Sequence, residues 1–193
     1  MNKNVIAKVD YHDFISEDAG KREKFIKEFG DSFANMGFAI VSNHGVTEEE
    51  KQALYGVSET FFNLPDEIKL KYHDQNNAGQ RGYIPKNVET AKGRKVADLK
   101  EFYHIGQQLS SSENAAMGYP DNIFPNELPE LEEIGVKVYR TFENTGRNLL
   151  KAIALYLKLD EDYFNDKIAK GNSVLRMLHY FPLENVDDIP KNL

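Results

Sequence analysis

From about Leu128 to Leu157 the chain sets Leu131, Ile134, Val138, Phe142, Leu149, Ile153 and Leu157 on one side of a helix. A helix of that length runs roughly 45 Å, and its apolar stripe has to be covered by other parts of the fold. An all-β fold is therefore excluded. The remaining elements alternate between strands and helices. "NVIAKVD" reads as a short strand, and Phe25, Phe29, Phe33 and Met36 mark an amphipathic helix ending near Gly37. "GFAIVSN" is a compact strand closed by an Asn-His-Gly turn. Thr47 and Glu50 have capping-box spacing ahead of a helix whose buried stripe is Leu54, Val57 and Phe61. Pro65 suits the first turn of a further short helix. "RGYIP", "LKEFYHIG" and "SVLRMLHYF" complete the strands, and "LDEDYFNDKIAK" adds a short helix. The two stretches 74–98 and 107–129 read as irregular, apart from the short "RGYIP" strand in the first. The class is α+β, organised as a single unit over 1–193. Within it, 1–126 holds strands and helices, 127–170 the long helix and a short one, and 173–193 a final strand.

Composition narrows the function. A net charge of −7 opposes binding to nucleic acid, and the one dense basic run, "KGRK" at 92–95, reads as a solvated loop. With no cysteine there is neither a disulfide nor a thiolate site. No apolar run reaches membrane-spanning length and no secretory leader is visible, so a cytoplasmic protein is expected. The phosphate-binding glycine patterns and the serine nucleophile elbow are absent. Nothing in the pattern specifies an oligomeric state.

Two places carry candidate binding residues. Arg81 and Tyr83, two apart in a strand-like segment, are expected to share one face, where they would hold a substrate carboxylate and line an apolar wall. The alternative is an exposed Arg81 beside a Tyr83 that only packs. In the last strand, period-two alternation sends Arg176, Leu178 and Tyr180 to one side and Leu175, Met177, His179 and Phe181 to the other. His179 is thereby placed among packing residues. A cation on such a face, where the face is buried, needs a partner, either a protein carboxylate or an anionic ligand.

Several of these segments, in order, resemble the N-terminal half of the isopenicillin N synthase-like, 2-oxoglutarate-dependent Fe(II) oxygenases. They are "MGFAIVSNHGV", "SETFFNLPDEIKLKY", "RGYIP", "DLKEFYHIG", "NIFPNELPEL" and "LRMLHYFP". The resemblance implies a support region leading into a double-stranded β-helix (jelly-roll), with 173–193 opening the catalytic barrel. It implies Fe(II), O2 and 2-oxoglutarate acting on a small-molecule substrate, and a cavity-facing Tyr180 that contacts oxo acid or substrate. Iron in such enzymes is held by two histidines and a carboxylate, the first pair as His-x-Asp or His-x-Glu. Here position +2 after the five histidines is Phe14, Val46, Gln75, Gly106 and Phe181. No metal ligand or catalytic residue is therefore assigned. The triad is expected downstream of this chain, which alone should be inactive and bind no cofactor tightly. Rival readings are an oxidase of the isopenicillin N synthase type that needs no oxo acid, and a truncated, non-catalytic binding or assembly module.

Overall fold

The computed structural model describes residues 5–89 and 99–182. The "KGRK" run lies outside the described residues, as does everything after Pro182. In chain order the elements are β1 (Lys8–Asp10), α1 (Tyr11–Ile15), α2 (Ala19–Met36), β2 (Ile40–Ser42), α3 (Glu48–Phe62) and α4 (Asp66–Lys69). Then come β3 (Gly82–Ile84), β4 (Lys100–Gly106), α5 (Ser111–Met117), α6 (Glu130–Tyr156), α7 (Asn165–Ile168) and β5 (Val174–Tyr180). The chain divides into two compact units, each drawn from two stretches of sequence. One takes Met1–Glu48 and Arg140–Gly171, the other Glu49–Tyr139 and Asn172–Leu193.

In the first unit β1 and β2 pair in parallel, with Val9 opposite Val41. α2 starts where the Asp18 carboxylate accepts the amides of Gly20 and Lys21. It stops at Gly37, whose φ of 76° suits a residue without Cβ and whose amide bonds to the Phe33 carbonyl. Its inner stripe, Phe25 and Phe29, packs with Phe14, Tyr11, Val9 and Ala152. Phe33 touches Phe29 but stays half-exposed. The expected stripe of α6 also departs from the pattern here. Phe142 and Leu157 are exposed, Phe142 lying against the His44 ring, while Ala152, Ala154 and Thr145 are buried.

The second unit is built on an antiparallel sheet in the order β3-β4-β5. Its register sets Tyr83 opposite Tyr103, Tyr103 opposite Met177, and Glu101 opposite His179. These side chains share the face on which α3 packs. Phe61 meets both Tyr83 and Tyr103 edge-on, and Ser58 donates to the Met177 sulfur at 3.1 Å. Ile105, Leu131 and Val136 complete that core. α6 begins with Glu130, Glu132 and Glu133, which favour the positive end of its dipole.

Two local expectations shift. Pro65 stands one position outside α4, extended at ψ 143°, rather than in its first turn. The stretch 107–129 is not wholly irregular. It contains α5, closed at its start by Ser110 and Glu113 in a capping box and at its end by Gly118 with positive φ.

Candidate functional site

The face of the sheet away from α3 carries Lys100, Phe102 and His104 from β4 and Val174, Arg176, Leu178 and Tyr180 from β5. Cross-strand register sets His104 opposite Arg176, Phe102 opposite Leu178 and Lys100 opposite Tyr180. The β4 side of this face is buried at Phe102 and His104, whereas Leu178 is 47% and Tyr180 63% exposed. Among the described residues, no strand lies beyond β5.

Polar chemistry on this face is organised around Arg176. Its guanidinium lies over the Phe102 ring, 4.4 Å from the centroid, and its Nε–H donates to His104 Nε2 at 2.5 Å. The opposite ring nitrogen, Nδ1, faces the Gly79 carbonyl at 2.7 Å. A carbonyl can only accept, so the ring proton sits on Nδ1 and the Nε2 lone pair is free for Arg176. Burial pushes the His104 pKa down to about 4, aided by the nearby Arg176 charge. Glu89 Oε1 is 3.4 Å from Arg176 Nη1, while Glu89 Oε2 pairs more closely with Lys100 at 2.8 Å. Its carboxyl is held below the ordinary carboxylate range, chiefly by Lys100, with the Arg176 charge helping against burial.

The face toward α3 holds a second polar group, centred on Glu101, which is 1% exposed. Tyr83 donates its hydroxyl to Oε2 at 2.5 Å, Lys69 Nζ approaches the same oxygen at 2.9 Å, and His179 Nδ1 meets Oε1 at 2.7 Å. Burial pushes the Glu101 carboxyl upward, but the bonds from Tyr83, His179 and Lys69 outweigh it, so the carboxyl lies below its ordinary value. The Tyr83 hydroxyl is pushed well above its ordinary value by burial and by its bond to Glu101. His179, stacked on Phe62, belongs to this interior group.

Arg81 and Tyr83 do not share a face. Gly82 between them has φ 73°, which breaks the extended alternation that a shared face requires. Tyr83 turns toward Glu101. The Arg81 guanidinium lies against Gly106 at the end of β4, where a Cβ would come within 2.0 Å of it. Arg81 is not exposed either, at 1%. It donates to the Gln80 carbonyl at 2.8 Å and to Asn172 Oδ1 at 2.6 Å, with its Nε unpaired, and burial pushes its pKa down. Of the four candidate residues, Arg176 and Tyr180 are together on an accessible surface. Sequence reasoning does not single out Glu101, Lys69 or Glu89 as site residues. The signal for Glu101 is an acid on the same strand face as Tyr103 and Ile105, which calls for a buried partner.

The described residues do not fit an iron ion. Among the described residues no three His, Asp or Glu side chains converge as a metal site. His104, His179 and His73 are tied to Gly79, Glu101 and the Tyr83 carbonyl respectively. Nor is any described helix long and apolar enough to cross a membrane. An open cleft of about 210 Å³ in the first unit, lined by Lys8, Asp10, Asp13, Lys24 and Glu28 among others, contains none of the candidate residues.

Helices thus pack on a short antiparallel sheet whose last described strand has an accessible face. Residues 6–130 match the family described as non-haem dioxygenase in morphine synthesis N-terminal. The chain belongs to this family, the N-terminal domain of 2-oxoglutarate/Fe(II) oxygenases. It is similar to proline hydroxylase buaE of Petromyces alliaceus, 28% identical over 186 residues, covering 91% of this chain and 55% of that protein. A solved structure assigned to the 2OG-Fe(II) oxygenase family, from Caulobacter crescentus, superposes with a TM-score of 0.81. It is 37% identical, over 94% of this chain and 58% of its own. A full-length Neurospora crassa protein solved in complex with alpha-KG gives 0.76 at 25% identity, over 93% of this chain and 55% of its own. The chain thus spans a little over half the length of these relatives.

Proposed function

We propose that this chain is the N-terminal portion of a cytoplasmic non-haem Fe(II) oxygenase that oxidises a small molecule with O2 and 2-oxoglutarate. The sheet β3-β4-β5 then leads into the double-stranded β-helix barrel, and the accessible face of β5, with Arg176 and Tyr180, lines the substrate cavity. Iron would be held by residues outside this chain, which spans a little over half the length of these relatives. The observation that carries this reading is the superposition on the Caulobacter crescentus oxygenase-family protein through 94% of the chain. Dependence on 2-oxoglutarate, rather than an oxidase without oxo acid, is favoured by the alpha-KG bound in the Neurospora crassa relative.

Arg81 and Tyr83, both buried, serve this site from behind. Arg81 fixes the approach to β3, and Tyr83 completes the Glu101 group beneath the sheet. The coding sequence after Leu193 tests the reading. It should continue in frame to a His-x-Asp or His-x-Glu pair, a later His and an Arg-x-Ser. A stop codon directly after Leu193 would sink the enzyme reading for this chain and favour a non-catalytic module.

A further inference from the structure

We propose that Arg176 anchors a carboxylate of the substrate and that His104 is the positioning residue that turns the guanidinium toward it. This rests on the reading that the accessible face of β5 lines the substrate cavity. The geometry around Arg176 is that of a cation held in place by a neutral group and paired with an acid only at long range. A guanidinium paired within a protein usually meets a carboxylate through two short parallel bonds. Here Glu89, its acidic contact among the described residues, reaches a single Nη1 at 3.4 Å and keeps its shorter contact for Lys100 at 2.8 Å. No described residue engages Nη2.

The firm contact instead comes from a neutral group. His104 is 4% exposed, its proton is fixed on Nδ1 by the Gly79 carbonyl, and its Nε2 takes the Arg176 Nε–H at 2.5 Å. Phe102 supports the guanidinium plane from the sheet side at 4.4 Å. A carboxylate in the place of His104 would hold the same side chain but cancel its charge. A neutral acceptor fixes the direction without itself cancelling the positive charge. Alternation along β5 then defines the rest of the ligand. Leu178 follows on the same face at roughly 7 Å and Tyr180 at roughly 14 Å. The ligand class is a carboxylate with an apolar body lying along Leu178, the Tyr180 hydroxyl being available to a polar group at its far end.

The carboxylate could come from the substrate or from 2-oxoglutarate, and two titrations separate these sources. The 15N-labelled 193-residue chain is titrated at fixed ionic strength with benzoate, with 2-oxoglutarate and with neutral benzamide, following the Arg176 Nε–H and Leu178 methyl signals by NMR. Benzoate should move both signals saturably and benzamide should move neither. If 2-oxoglutarate saturates the Arg176 shift while benzoate does not, the substrate assignment is overturned. His104→Ala should weaken benzoate at least about ten-fold, as expected for loss of a charge-assisted bond that orients the cation. His104→Gln, which offers a carbonyl to the same N–H, should recover to within about three-fold, and Glu89→Gln should tighten binding by removing the competing acid. A merely structural His104 would change the melting temperature without this difference in affinity, and equal benzoate affinity in His104→Ala overturns the positioning role. Movement of Leu178 and Tyr180 signals without Arg176 overturns the anchor but keeps the face as a ligand site. No movement anywhere on the face removes the underlying reading as well.

Discussion

Replacing Glu101 by Ala removes the acceptor shared by three donors inside the second unit. Lys69, 4% exposed, keeps the Phe62 carbonyl at 3.1 Å, the exposed Asp66 carboxylate at 3.1 Å and the Tyr83 ring 5.5 Å away. The Tyr83 hydroxyl is left in the core without its carboxylate. Removing one partner of a buried ion pair costs about 3–5 kcal/mol, and an unsatisfied buried hydroxyl about 1–3. These overlap, because the same carboxylate serves both, so a loss of about 4 kcal/mol is expected. Against a total stability of about 5–15 kcal/mol that is enough to bring unfolding near ambient conditions. Urea titration followed by far-UV circular dichroism measures it, and a cycle with Lys69→Met isolates the pair. The coupling should exceed about 1.5 kcal/mol. The pH dependence has a defined sign. A carboxyl held below its ordinary value of 4.5 contributes stability that is present above that value and lost as pH falls through the lower folded one. Glu101→Ala should therefore flatten the acid limb of the stability curve. A loss below about 1 kcal/mol together with an unchanged acid limb would refute the assignment of Glu101 as the centre of the buried group.

Three further outcomes follow from the same geometry. His104 is lowered from 6.5 to about 4, so its contribution is complete above pH 6.5 and is lost as pH falls toward 4. At about 1.4 kcal/mol per unit this amounts to about 3 kcal/mol, and His104→Gln should remove that slope in pH-dependent urea midpoints. Gly106→Ala puts a methyl within 2.0 Å of the buried Arg81 guanidinium, and thermal melts should show about 1–3 kcal/mol of destabilisation. Ser110→Ala breaks the capping box of α5 and should lower stability by about 1 kcal/mol, with increased hydrogen exchange confined to 111–117.

Much of the fold is legible in the sequence because its periods are regular. The alternation in "VLRMLHY" assigns Met177 and His179 to the packing side and Arg176, Leu178 and Tyr180 to the other, as the exposure pattern shows. Helix boundaries follow their caps, with Gly37 ending α2 where expected. The failures have local causes. Strict alternation gives Arg81 and Tyr83 one face, although a glycine between them can adopt positive φ and reset the parity. α5 reads as loop because its apolar content is low, even though Ser110 and Glu113 stand at capping-box spacing. Glu101 and Lys69 come together across 32 positions, and His104 and Arg176 across 72. Strand register makes the second contact and the packing of α4 against the sheet makes the first, and neither is visible in a local window. The stripe of α6 drifts because small side chains, Ala152 and Ala154, take buried positions that a count of large apolar residues overlooks.

On the function proposed here, these residues support an iron enzyme whose metal ligands lie outside this chain. Anaerobic titration with Fe(II) and 2-oxoglutarate, read by calorimetry, compares the 193-residue chain with the product of any reading frame that continues past it. The longer product should bind one Fe(II) tightly, and the 193-residue chain should show no stoichiometric site. Tight, stoichiometric binding of Fe(II) by the 193-residue chain alone would overturn the proposed function.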